Sequence, residues 1–124
     1  MFVVKKQATF KEKVKIITPD DKGGMTYGYV NAEFRLLPQS RINDLFQDLA
    51  EEEGSTLADV LEELVEGVHG VGDENGNELS PQQAKAELLD YAPALSPLLD
   101  AYNDALGRGA GPRGKTSKRR RATG

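Results

Sequence analysis

The sequence contains no cysteine and no tryptophan, and its 124 residues include one histidine, His69. Without cysteine, disulfides, thiolate metal sites and cysteine nucleophiles are excluded. The chain lacks the roughly 20 consecutive apolar residues that a membrane-spanning helix needs. Its start, MFVVKKQATF, also lacks the apolar stretch of a secretory signal. These absences predict a protein of the cytoplasm that folds on one hydrophobic core, as chains of about 100–150 residues commonly do.

The formal net charge of −4 hides three blocks of different sign. Residues 1–38 carry seven basic and four acidic side chains, so this block is +3. Residues 39–106 carry sixteen acidic side chains and two basic ones, so this block is −14. Residues 107–124 carry seven basic side chains and no acidic one, which gives +7. Charge asymmetry of this size bears on binding partners rather than on the fold.

The N-terminal third alternates between apolar and polar residues. Over residues 9–17 one face is apolar, and the other carries Lys11, Lys13 and Lys15. Residues 27–37 alternate again, after the turn-forming sequence PDDKGG. A period of two predicts a β-hairpin near residues 9–37. The three lysines would also discourage pairing with another sheet edge, which alone is a sufficient reason for them.

After Pro38 the apolar period changes from two to 3.6 residues, which predicts about four amphipathic helices. Their expected spans are residues 41–52, 56–68, 81–91 and 97–106, each preceded by a serine that can cap it: Ser40, Ser55, Ser80 and Ser96. The signal at Ser80 is the clearest, because Pro81 and Gln83 complete a capping box with proline in the first turn.

The expected fold is therefore α+β, with an N-terminal β-hairpin packed on about four short α-helices. One domain is expected over residues 1–107, followed by a disordered basic tail over residues 108–124. Residues 67–79 are expected to form a connection rich in glycine, asparagine and aspartate, in which Asn75-Gly76 favours a type I′ turn. A short hairpin or a tight loop would both satisfy this signal.

No group of residues in the sequence suggests catalysis or a bound cofactor. His69 is expected to be an exposed loop histidine. Residues 73–78 (DENGNE) lack the ligand spacing of a calcium loop. The glycines from Gly107 onward precede no helix signal, unlike those of a phosphate-binding loop. We therefore expect neither an enzyme nor a metal or cofactor site.

The basic tail contains a cluster that could bind phosphates or acidic protein surfaces, namely Lys118, Arg119, Arg120 and Arg121. No aromatic residue lies among these side chains, so base stacking is not expected. A purely solubilising end explains the tail as well as a binding role does.

From the second strand onward, the order of motifs resembles the tail assembly chaperones of long-tailed bacteriophages. The motifs that carry the resemblance are AEFRLLP (32–38), RINDL (41–45), LEELVEG (61–67), VGDENG (71–76), the capped helix from Ser80, and LLDAYNDA (98–105). The resemblance covers about residues 10–109. It departs from the family at Val68, near the end of the second predicted helix, where many relatives have tryptophan.

The resemblance implies a function. Such chaperones coat the tape measure protein in the infected cell until tail tube subunits replace them, and they are absent from the finished virion. The expected partners are thus the tape measure protein, further copies of this chain and the tail tube protein, in the host cytoplasm. Neither a membrane nor nucleic acid is expected as a partner.

The apolar stripes of the helices and hairpin are more than so short a chain readily buries, and exposed apolar surface marks interaction sites. The candidate partner-binding residues are Phe34, Leu36, Leu45, Phe46, Leu61 and Val65, together with the tail cluster Lys118, Arg119, Arg120 and Arg121.

Two other functions fit the sequence. One is a structural component of the virion, such as a neck or tail completion protein. The other is a small regulator that binds nucleic acid through the basic tail. The acidic block argues against the second function, because it repels phosphates over a Debye length of about 10 Å at ~0.1 M salt.

Overall fold

The computed structural model describes residues 1–4, 8–51 and 54–109, so the expected disorder of the basic tail falls almost wholly outside the described residues. The described part confirms the α+β class. In chain order its elements are β1 (Thr9–Pro19), β2 (Met25–Arg35), α1 (Gln39–Ala50), α2 (Leu57–Leu64), β3 (Val65–His69), α3 (Pro81–Leu89) and α4 (Ala92–Gly109).

The sheet is antiparallel, in the order β1-β2-β3. The predicted hairpin forms, with Val14 opposite Val30 in β1 and β2. On its other side β2 pairs with β3, where Ala32 lies opposite Val68 and the register shifts between Glu33 and Phe34. The central strand β2 therefore has hydrogen-bonding neighbours on both sides.

The third strand corrects the predicted helix over residues 56–68, which ends at Leu64. Residues 65–69 (VEGVH) contain two valines and a glycine, which favour helix less than the preceding leucines and glutamates do. As a strand they pair with the edge of β2. A Cβ at Gly67 would lie 3.0 Å from Cβ of Pro81, so the start of α3 packs closely on this strand.

Two loops of the same design close the hairpin β1-β2 and the short bridge between Gly72 and Glu78. In each loop an aspartate Oδ1, of Asp20 or Asp73, accepts two main-chain N–H groups at 2.8–3.0 Å. A glycine with φ near +83° follows three residues after each aspartate. Because Gly76 N–H donates to the Asp73 carbonyl (3.1 Å), Asn75-Gly76 is not the central pair of the turn. The type I′ geometry is therefore wrong, but a tight loop, which the sequence also allowed, forms with Gly76 in the left-handed region.

The predicted cap at Ser80 is confirmed. Its hydroxyl accepts from Gln83 N–H, and the Gln83 side chain accepts from Ser80 N–H. Of the other predicted caps, Ser40 and Ser55 are wrong by one or two residues. Helix α1 follows Pro38 without a side-chain cap, and α2 is capped by Thr56 in its own capping box.

The predicted cap at Ser96 is also wrong, because α4 begins at Ala92 and contains Pro97 in its interior. Pro97 has no N–H to donate within the helix, which by itself disfavours this position. Ala94 and Leu98, four residues apart on one helix face, are fully buried in the core. Their burial offsets the lost hydrogen bond, and a local cap signal cannot reveal this.

The core lies between the inner face of the sheet and the helices. Most of the apolar stripes of the helices and the hairpin are buried or half-buried in it, so the chain covers more of them than expected. Leu36 of the hairpin stripe and Tyr91 of the predicted helix over residues 81–91 stay exposed, as the expectation allowed. The other large apolar side chains that stay exposed are Met1, Phe2, Val3, Val4, Ile17, Met25, Tyr27 and Tyr29.

An aromatic cluster fastens α4 to the sheet. The rings of Phe10, Phe34 and Tyr102 lie 5.4–5.6 Å apart between centroids. The hydroxyl of Tyr102 donates to the main-chain carbonyl of Arg35 at 3.0 Å. Burial raises the pKa of Tyr102 above its ordinary value of 10.0, so the buried hydroxyl remains a neutral donor at physiological pH.

Replacing Ser80 tests the confirmed cap. We expect Ser80→Ala to lower the free energy of unfolding by about 0.5–2 kcal/mol, because the main-chain N–H of Gln83 loses its acceptor. The matched control is Ser96→Ala, which places a better helix former at an exposed position inside α4 and should cost nothing. Urea unfolding measures both changes. Equal midpoints for wild type and Ser80→Ala would contradict the cap.

Replacing Tyr102 tests the attachment of α4. Tyr102→Phe keeps the ring but removes the donor to Arg35, which should cost about 0.5–1.5 kcal/mol at pH 7. The pKa of Tyr102 is higher in the folded state than in the unfolded state. Its neutral hydroxyl therefore stabilises the fold fully below the unfolded-state pKa near 10, and this stabilisation is lost as the pH rises above that value. The difference between the two proteins should therefore shrink above pH 10. Tyr29→Phe, at an exposed position, should leave the pH 7 midpoint unchanged.

Candidate functional site

An open groove of about 450 Å³ lies where the start of β1, the β2–α1 connection and the end of α4 meet. Apolar side chains make most of its wall. The lining residues are Phe10, Leu36, Leu37, Gln39, Ile42, Ala105 and Leu106. Its volume lies within the range of ~300–1,000 Å³ that is usual for ligand pockets in proteins.

The aromatic cluster positions two walls of the groove. Phe10 belongs both to the cluster and to the lining, and Tyr102 lies one helical turn before Ala105 and Leu106. Because the ring and hydroxyl of Tyr102 fix α4 on the sheet, they also fix the distance between the α4 wall and the Leu36 wall. The groove is thus a consequence of core packing.

Two arginines connect the segments that flank the β2–α1 wall of the groove to α2 and β3. Arg41 on α1 binds both carboxylate oxygens of Glu63, with N–O distances of 2.6 Å. Arg35 on β2 donates to Glu66 at 2.9 Å and to the Glu63 carbonyl at 3.1 Å. The hydrogen bond from Arg41 holds the pKa of Glu63 below its ordinary value of 4.5, and Arg35 lowers the pKa of Glu66 likewise. Both carboxylates are therefore charged partners at neutral pH.

The structure separates the candidate partner-binding residues into three groups. Leu36 lies in the groove and its side chain is exposed, with 43% of the residue accessible. Phe46 is half-buried against the core. The third group is buried in the core and offers no surface to a partner in this structure: Phe34, Leu45, Leu61 and Val65. The tail cluster of residues 118–121 lies outside the described residues.

Sequence reasoning missed most of the groove. Phe10, Leu37, Ile42 and Leu106 were recognisable as apolar positions, but they belong to four different segments. Nothing in their spacing shows that the start of β1 meets the end of α4. One local signal was present, since Leu36 and Leu37 come directly before a proline, where a strand ends and side chains leave the sheet.

His69 is not the exposed loop residue that the sequence suggested, because it lies on β3 and is half-buried. Its Nε2 lies 3.6 Å from Oε1 of Glu33. Within residues 1–4, 8–51 and 54–109, no group of three or more histidine and carboxylate side chains could hold a metal ion.

Among the helices of the described ranges, none combines the length and the apolar character required to cross a bilayer. The groove is an open and mostly apolar surface, and this combination suits the binding of an apolar partner. No protein-family model, no curated protein and no solved structure matches the chain.

Proposed function

We propose that this chain is a tail assembly chaperone, which binds the tape measure protein of a long-tailed bacteriophage and keeps it soluble during tail assembly. The observation that supports this best is that the AEFRLLP motif ends at the groove. Leu36 and Leu37 of this motif line the groove, and Ile42 of the following RINDL motif lines it too. Two of the motifs that carry the family resemblance thus form one apolar surface.

The shape of the groove suits an apolar stretch of a partner helix. Such a helix presents apolar side chains at i, i+3, i+4 and i+7, and it binds by laying this stripe into a hydrophobic groove. Each square ångström of apolar surface buried contributes about 25 cal/mol before the costs of association. An open site of this size gives limited affinity at any one position. Limited affinity suits a chaperone that tail tube subunits later replace.

The groove changes which residues we assign to partner binding. Phe10, Leu36, Leu37 and Leu106 replace the core residues as the contact surface. In this proposal the tail cluster of residues 118–121 adds electrostatic steering, which raises association rate more than affinity. In this proposal the protein is not an enzyme and acts in the host cytoplasm.

Co-expression with the tape measure protein tests the proposal. We expect the tape measure protein to become soluble and to co-purify with this chain. Leu36→Asp should reduce the co-purified amount at least about tenfold, because a charge in the groove must be desolvated on binding. The control is Met25→Asp, which adds the same charge at an exposed apolar position near the far end of the hairpin.

Three outcomes would contradict this function. The tape measure protein could be equally soluble alone, it could fail to co-purify, or Leu36→Asp and Met25→Asp could behave alike. Mass spectrometry of purified particles gives an independent check, because a chaperone leaves the tail before completion. Detection of this chain in the virion at the level of structural proteins would favour a neck or tail completion component instead.

A further inference from the structure

Residues 1–4, which are Met1, Phe2, Val3 and Val4, form a segment that we call the apolar arm. All four side chains are exposed, and Phe2 is 88% accessible to solvent. Among the described residues, this is the one place where four successive large apolar side chains are exposed. A contiguous apolar surface of this kind indicates an interaction, whereas single exposed apolar residues are ordinary.

The arm joins the fold beside the groove. The Ala8 carbonyl accepts a hydrogen bond from the N–H of Leu36 at 2.9 Å, and Leu36 lines the groove. This bond continues the antiparallel register of β1 and β2. At Ala8 the preceding chain is therefore directed toward Leu37, which also lines the groove. The arm is thus attached at the rim of the groove.

The arm is long enough to reach the groove. An extended chain spans at most about 3.3–3.6 Å per residue, so Val4, four residues before Ala8, lies within about 14 Å of it. Phe2 lies six residues before Ala8 and within about 21 Å of it. The whole of a groove of about 450 Å³ that begins at Leu36 falls inside this radius. Closure therefore requires no movement of a helix or strand.

The chemistry of the arm matches that of the groove. Among the described residues, no charged side chain lines the groove. The side chains of Phe2, Val3 and Val4 are uncharged too, so they enter it without the cost of desolvating an ion. The Phe2 ring meets the aromatic wall at Phe10, and aromatic pairs stabilise a contact beyond their buried area. Contact removes apolar surface of both partners from water.

We propose that the apolar arm folds back into the groove of its own chain, with Phe2 as its anchor, and covers the groove when no partner is bound. In this structure the arm lies in solvent and the groove is open, which is the arrangement that accepts a partner. Because the arm is tethered, closure is intramolecular, and a short flexible tether corresponds to an effective concentration of about millimolar.

Closure affects every partner of the groove. The apparent affinity of a partner is reduced in proportion to the fraction of chains whose groove is open. If the partner is the tape measure protein, the arm competes with it and sets how readily it is captured and released. That consequence rests on the proposed function, whereas the contact between arm and groove does not.

A single tryptophan tests the contact, because the chain contains none. In the purified full chain with Phe2→Trp, we expect emission at shorter wavelength than in urea. Acrylamide should quench it at least about threefold less than in urea, as for a side chain that is covered most of the time. Leu36→Asp in the same chain should remove both effects, because a carboxylate in the wall must be desolvated when the arm docks. The control is Met25→Asp, which adds the same charge at an exposed position near the far end of the hairpin and should leave both effects in place.

Nuclear magnetic resonance tests the contact with the natural arm. Phe2→Ser should shift the amide resonances of Leu37 and Ile42, because the anchor leaves the groove. The amide resonances of Tyr27 and Tyr29, on the part of the hairpin away from the groove, should stay unchanged. Unchanged resonances at the groove would contradict the contact.

Two further results would overturn the proposal. One is equal quenching in the two aspartate variants, with circular dichroism showing that both are folded. The other is protection that grows with protein concentration, since an intramolecular contact is independent of concentration, and this result would place the arm in the groove of a second copy. None of these measurements involves the tape measure protein, so a failure of the arm contact and a failure of the chaperone function are separate results.

Discussion

The attachment of α4 to the central strand, made by one tyrosine, is the contact on which the other features of the fold depend. Tyr102 is buried between Phe10 and Phe34, and its hydroxyl donates to the Arg35 carbonyl at the end of β2. This contact joins the first strand, the central strand and the last helix at a single point. The groove next to it exists because the aromatic rings hold α4 at a fixed separation from the β2–α1 connection.

Local signals were enough to predict much of the fold. The alternation around Lys11, Lys13 and Lys15 predicted the hairpin, because a period of two fits only a strand with one covered face. The capping box at Ser80 predicted the start of α3, because both of its hydrogen bonds form within four residues. Each of these elements is determined by residues that are close together in sequence.

The elements that were predicted wrongly depend on distant residues. Residues 65–69 form a strand because the edge of β2 requires partners, and α4 continues through Pro97 because Ala94 and Leu98 fill the core. The same reason limits prediction of the site. The alternating pattern places Phe34 and Leu36 on the same face of the strand, but it does not show that Phe34 is covered and Leu36 is left open. The hairpin register likewise decides that the Lys13 ammonium lies over the Tyr29 ring and the Lys15 ammonium over the Tyr27 ring.

The direct junction between α2 and β3 determines where this protein can change shape. Leu64 ends the helix and Val65 begins the strand with no loop between them, so α2 cannot shift without pulling on the sheet. Helix α1 has two buried residues among its twelve, Ile42 and Leu45, and the pair that ties it to α2, Arg41 with Glu63, is partly exposed to solvent. Adjustment to partners of different width should therefore occur as a rigid swing of α1, while the sheet and α4 stay still.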